Sequence, residues 1–264
     1  MTKASVRAMD AIQEFVAYQY PTEEWTLDYF TVLGASKRGW TTWLVGAVDS
    51  RVSAIIPVVL DAIHFQSFAH HQFQAYGGWT YALEDFLEMD IMSRVDTPEM
   101  DMWATMDDPF TYMDRLTMPK LVVNAVLDEF QLPDDSFNWF NELPEPKHLL
   151  MTPNADHTEA TGLLEIISAM SFFINYLLHK DVEQMPSMRW DISASDGSIV
   201  ATLGVGGEVH EASVWYAYSC GTNPDGIKRR DFRLASLDYP CECGVFAQGY
   251  CVNGKVCVNV TLCT

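Results

Sequence analysis

Cysteine is missing from residues 1–219 of this 264-residue chain, and basic residues are scarce throughout: 16 Lys and Arg stand against 36 Asp and Glu, a net charge of −20. That balance excludes nucleic acid as a partner, because neutralising phosphates needs a basic face. It also disfavours anionic membrane surfaces. No apolar run reaches the length of a membrane-spanning helix. The richest stretch, 163–178, is interrupted by Glu165, Ser168, Ser171 and Asn175 and reads as a core-facing helix. The first 30 residues lack the unbroken apolar segment of a secretory leader. Residues 3–19 instead mix charged and apolar positions at helical spacing. Internal repeats and low-complexity segments are absent as well.

What is present is 48% hydrophobic residues, enough for a core and for one or two domains. The most informative stretch is 30–40, Phe-Thr-Val-Leu-Gly-Ala-Ser-Lys-Arg-Gly-Trp. An apolar run, read as a strand over 28–33, meets a Gly-x-Ser turn and passes into a helical pattern over about 37–48. An α/β-hydrolase places its nucleophile at such a turn, with the serine hydroxyl exposed and backbone N–H groups of the following helix near it. Ser36 is therefore the candidate nucleophile. The usual turn has a small residue two positions after the serine. Here Arg38 occupies that place and Gly39 follows it.

Hydrolases of this kind order their catalytic residues as Ser, then acid, then His. After Pro119, the run Lys120–Leu127 reads as a buried parallel strand. Asp128-Glu129-Phe130 follows at its tip, where open α/β sheets build their sites. Pro133-Asp134-Asp135-Ser136 predicts a helix start leading to an amphipathic stretch that ends near Leu143. Lys147–Met151 reads as the next strand, and residues 153–159 as a loop containing His157. A long helix is expected from about Ala160 to Leu178. Ser36, Asp128 and His157 thus fall in the required order, each beyond a predicted strand. Serine needs an imidazole to take its proton, and the imidazole needs a carboxylate to fix its tautomer. Glu129 and Asp156 are competing acids.

Val52–Leu60 reads as another buried strand, ending at Asp61, a further strand-tip acid. Residues 61–118 interrupt the strand–helix alternation with aromatics, methionines, histidines and acids. They predict a largely helical cap over the site. His64, His70 and His71 are read as helix histidines, and neither a metal nor a cofactor is expected. Beyond about residue 185 the pattern changes to short alternating runs, such as 198–203 and 211–218, separated by turns. The expected organisation is an α/β domain over 1–185 and a small β-sandwich module over 186–264.

Six cysteines crowd into that module: Cys220, Cys241, Cys243, Cys251, Cys257 and Cys263. An even count in a short segment reads as a disulfide cluster, for which 15 pairings exist. Zinc is the rival reading, but the Cys-x-Cys at 241–243 lacks the usual ligand spacing. Asn259-Val260-Thr261 is a glycosylation sequon. Together these features predict a secreted, extracellular protein, with a leader preceding Met1.

The decapeptide 34–43, the Asp128-Glu129-Phe130 tip, the loop 153–157 and Arg230-Asp231-Phe232-Arg233 resemble the PhoPQ-activated pathogenicity-related family. The resemblance covers the chain to about residue 237 and leaves out the cysteine-rich tail. It implies an α/β-hydrolase-like fold beginning at the helix before the nucleophile strand, so that earlier strands are missing from this chain. The Ser-Lys-Arg-Gly turn is also similar to the Ser-Arg-x-Gly turn of glucuronoyl esterases, which implies that Lys37 or Arg38 supports the oxyanion. The reading is a serine hydrolase acting on a small-molecule, ester or peptide substrate. Its alternatives are a non-catalytic signalling protein that binds a cell-surface receptor, or a fragment of the longer family protein.

Overall fold

The computed structural model describes residues 1–76, 78–179, 187–204, 208–216, 230, 238–240, 251–252 and 255–257. Two compact units are distinguished: Met1–Ile166 with residues 217–264, and Ile167–Tyr216.

The first unit is built on a four-stranded parallel sheet. Its strands are β1 (Phe30–Ala35), β2 (Val52–Val58), β3 (Lys120–Ala125) and β4 (Lys147–Thr152), adjacent in that order. The two central strands carry almost continuous apolar runs because both faces of a parallel sheet are covered. Ile55, Ile56, Val122 and Val123 are fully buried, each contributing about 1.5–3 kcal/mol. β1 pairs with β2 alone among the described residues and leaves Leu33 56% exposed.

Helix α1 (Thr2–Gln19) precedes β1, and α2 (Lys37–Val48) follows it directly. α2 buries Trp43 and Val45. Trp43 meets Trp139 edge-to-face at 5.6 Å, a favourable ring geometry. The two indole N–H groups donate to the carbonyls of Leu60 and Asp61. The segment after β2 is thereby fastened to the core.

Between β2 and β3 lie α3 (Phe65–Tyr76), α4 (Glu84–Glu88), α5 (Pro98–Asp107) and several 3₁₀ turns. This largely helical insertion occupies the expected range. Asp108 holds its entry and exit together. Its carboxylate accepts the N–H groups of His64 and Phe65 at one end and of Phe110 at the other. His70 pairs with Asp96 and His71 with Asp135. Arg230 donates its backbone N–H to Ala75 and pairs with Asp134 at 2.5 Å and with His71. Arg230 itself thus docks onto α3 and the loop after β3.

Several boundaries differ from the sequence expectation. β1 starts and ends two residues later than predicted. β2 stops at Val58 because Val59 adopts a positive φ of 43° and turns the chain. The helix expected over 133–143 is replaced by two 3₁₀ turns, Asp135–Asn138 and Phe140–Glu142. Asp135 turns inward to accept from Leu132 N–H and His71, and Trp139 leaves helical geometry at φ −149°. Helix α6 spans Leu163–His179, starting three residues late. Glu159, at φ 57°, interrupts its entry. Along α6 Ile166 and Phe173 are buried, whereas Leu164 and Leu178 are exposed.

The second unit contains one antiparallel hairpin, β5 (Met188–Ile192) with β6 (Ile199–Leu203). Three short strands of the first unit's C-terminal part, β7 (Asp238–Pro240), β8 (Cys251–Val252) and β9 (Lys255–Cys257), form a further sheet in the order β7-β9-β8. Where a β-sandwich is expected, these two small sheets are found, and residues 211–216 carry no strand. Cys220, Cys241, Cys243, Cys263 and Asn259 lie outside the described residues. Only the backbone of Cys251 and Cys257 is described, so the disulfide and glycosylation expectations fall there too.

Candidate active site

Ser36 stands between the end of β1 and the first residue of α2. Its φ of 53° and ψ of −124° are rare for a residue with a side chain. Such strain is characteristic of functional turns. The conformation is held by the Ser36 N–H, which donates to Val58 O at 2.8 Å. Two glycines make the turn sterically feasible. A Cβ at Gly34 would sit 2.5 Å from the Arg38 carbonyl oxygen, and one at Gly39 would sit 3.0 Å from Val58 O. Gly39 thus does the work that a small residue two positions after the serine does elsewhere, and Arg38 is free to point outward. Gly34→Ala should lower stability by about 1–3 kcal/mol, read as a shift in the denaturation midpoint. An unchanged midpoint would contradict the close approach.

Asp128 and His157 follow β3 and β4 at the same end of the sheet. The His157 Nε2 is 2.8 Å from Ser36 Oγ, and its Nδ1 is 2.8 Å from Asp128 Oδ2. Asp128 is 3% exposed, and its Oδ1 accepts from the N–H groups of Phe130 and Gln131. The carboxylate is therefore fixed before it meets the imidazole. It sets the tautomer: Nδ1–H donates to Asp128, and Nε2 accepts from the Ser36 hydroxyl. The Phe130 ring lies 4.3 Å from the His157 ring and screens it from water.

The competing acids have other tasks. Glu129 accepts from the His157 backbone N–H. Asp156 accepts from the Thr158 N–H and hydroxyl, capping its own turn. Asp61 lies buried and does not border the cavity above Ser36. Burial, with the nearby charges of Asp135 and Asp128, pushes its carboxyl well above the usual range. Lys37 borders that cavity, and its N–H is one of the first-turn amides without an intrahelical partner. Arg38 is exposed and does not line the cavity.

Two features escape the sequence reading. The first is the aromatic interior of the cap, where Phe65 meets Trp40, Phe68, Phe86 and Trp103. The second is Glu159, 5% exposed in the His157 loop. Burial pushes its carboxyl up to about 7, and Asp128 and Asp156 add to the shift. A carboxyl with a raised folded-state pKa favours folding while protonated, so stability is lost as pH rises from about 4.5 to about 7. Glu159→Gln should leave the melting temperature unchanged near pH 4 and raise it at pH 8. Equal melting temperatures at pH 8 would contradict this assignment.

The parallel sheet, with the strained serine turn and the strand-tip acid and histidine at one end, forms an α/β-hydrolase-like scaffold. The model of the PhoPQ-activated pathogenicity-related protein family matches residues 1–233. The chain belongs to that family. It is similar to the Autocrine proliferation repressor protein A of Dictyostelium discoideum, at 40% identity over 241 residues. That match covers 89% of this chain and 47% of the relative, so the chain spans about half the length of the curated relative it matches. Among solved structures, an acetyl xylan esterase from Paenibacillus sp. R4 is similar at 21% identity and a TM-score of 0.45, covering 61% of this chain and 49% of that one. A monoacylglycerol lipase from Paleococcus ferrophilus is similar at 16% identity and a TM-score of 0.34, covering 59% and 66%.

Proposed function

We propose that this chain is a serine hydrolase domain that cleaves an ester or amide through an acyl-serine intermediate. The observation that carries the reading is the pair of 2.8 Å hydrogen bonds running from Ser36 through His157 to Asp128. Ser36 Oγ attacks the substrate carbonyl carbon while its proton passes to His157 Nε2. The imidazolium is stabilised by Asp128. The Lys37 N–H at the start of α2 donates to the developing oxyanion. As the carbonyl re-forms, the bond to the leaving alcohol or amine breaks, and His157 returns the proton to it. Water then attacks the acyl-serine, with His157 again taking and returning one proton. The free acid leaves and Ser36 regains its hydrogen.

His157 must be neutral to act as base. Burial lowers its pKa, but the hydrogen bond and charge of Asp128 outweigh that, with Glu129 and Asp156 adding, and the net shift is upward from 6.5. The kcat/KM for a nitrophenyl ester should therefore rise with pH, with its half-point above 6.5. A rate independent of pH across 5–9 would contradict His157 as the base.

A further inference from the structure

A cavity of about 730 Å³ opens onto Ser36 and His157 and extends beneath the cap. That volume is in the range of sites for drug-sized ligands. Its chemistry is sorted by depth. The buried part of the wall is formed by Leu60, Ala62, Phe65, Phe68, Leu83 and Met100, each no more than 6% exposed. The charged residues on its border, Lys37, Asp85, Arg94, Glu99 and Asp107, are all exposed. Charge therefore stays at the mouth, where acids outnumber bases by three to two. Beyond the reacting pair, Thr41 and Gln131 are the polar residues of the lining that are buried.

The wall is also closely packed. Phe65 lies 5.2 Å from Trp103 and 6.1 Å from Phe86, and Trp40 is 5.7 Å from Trp103. The Trp40 indole N–H donates to Asp107 O at 2.6 Å. A sugar or a polar peptide side chain placed here would lose its water hydrogen bonds and find few replacements. An apolar group gains from the transfer.

The geometry points to an acyl pocket: the substrate is an uncharged ester whose acyl part is a bulky apolar group, alkyl or aryl, seated among Phe65, Phe68 and Met100 with its carbonyl at Ser36. The inference rests on the hydrolase reading and specifies its substrate class. The acidic border favours departure of the carboxylate product.

The test measures kcat/KM on nitrophenyl acetate, octanoate and benzoate, with an acetylated xyloside as the polar rival. In parallel, Ser36→Ala is titrated with the apolar fluorophore N-phenyl-1-naphthylamine and competed with methyl octanoate. Octanoate or benzoate should exceed acetate by about tenfold or more, the effect of even one seated methylene. The difference between those two separates alkyl from aryl. Ala62→Trp, which fills the cavity, should lower the octanoate-to-acetate ratio and weaken fluorophore binding. Ile91→Trp, on the half-buried wall, is the second variant should Ala62→Trp not fold. Preference for acetate or the xyloside, with no competed fluorophore binding, would overturn the acyl pocket while leaving hydrolysis standing. Competed binding without cleavage of any ester would instead defeat the hydrolase reading and support an apolar ligand site.

Discussion

Ser36→Ala should reduce kcat on a nitrophenyl ester by about 10⁴-fold or more, with KM little changed. The magnitude follows from what the residue supplies. Without Oγ no acyl-serine forms, and His157 Nε2, 2.8 Å away, has no hydroxyl to deprotonate. What remains is the binding and polarisation offered by the cavity and the start of α2. The fold should not suffer, because the backbone bond from Ser36 N–H to Val58 O involves no side-chain atom. An unchanged melting temperature alongside lost activity separates a chemical role from a structural one. A variant that retained most of its activity would place the reaction elsewhere.

Asp128→Asn should cost nearly as much, about 10⁴-fold in kcat, although the two side chains are almost the same shape. The reason lies in the other oxygen. Asp128 Oδ1 accepts from the N–H groups of Phe130 and Gln131. An asparagine keeps its carbonyl oxygen toward those two donors and so turns its NH₂ toward His157. The Nδ1 must then accept, the ring proton moves to Nε2, and a proton rather than a lone pair faces Ser36. The base is present and in place, but in the wrong tautomer. Asp156→Asn should have little effect on the rate, since that carboxylate caps Thr158. Kinetics of the two variants at pH 8 check the pair. Equal activity of Asp128→Asn and the parent chain would remove Asp128 from the proposed role.

Ser36, Asp128 and His157 could be read from the sequence because their positions depend on local pattern and chain order. Each follows an apolar strand, and parallel strands put such tips at one end of a sheet. The odd Ser-Lys-Arg-Gly turn was legible only as a resemblance. Its physical sense comes from the contact of Gly39 with Val58 O, which no spacing reveals. Other features depend on distant partners. The stretch 133–143 has the composition of a helix, but Asp135 answers to His71, far away in sequence, and the segment winds into 3₁₀ turns. Glu159 stands among polar loop residues in the sequence, and only the folded chain buries it, beside Thr152 at the end of β4. The cap's aromatics were visible as composition. Their convergence on one cavity depends on α3, α4 and α5 packing together, which periodicity does not encode.

An activated Ser36 should react covalently with a fluorophosphonate, and peptide mass spectrometry of the incubated chain locates the adduct. One phosphonyl group per chain is expected, on Ser36, with labelling abolished in His157→Ala. A chain that stays unlabelled while a control esterase reacts, or that is labelled at another serine, would contradict the activation of Ser36.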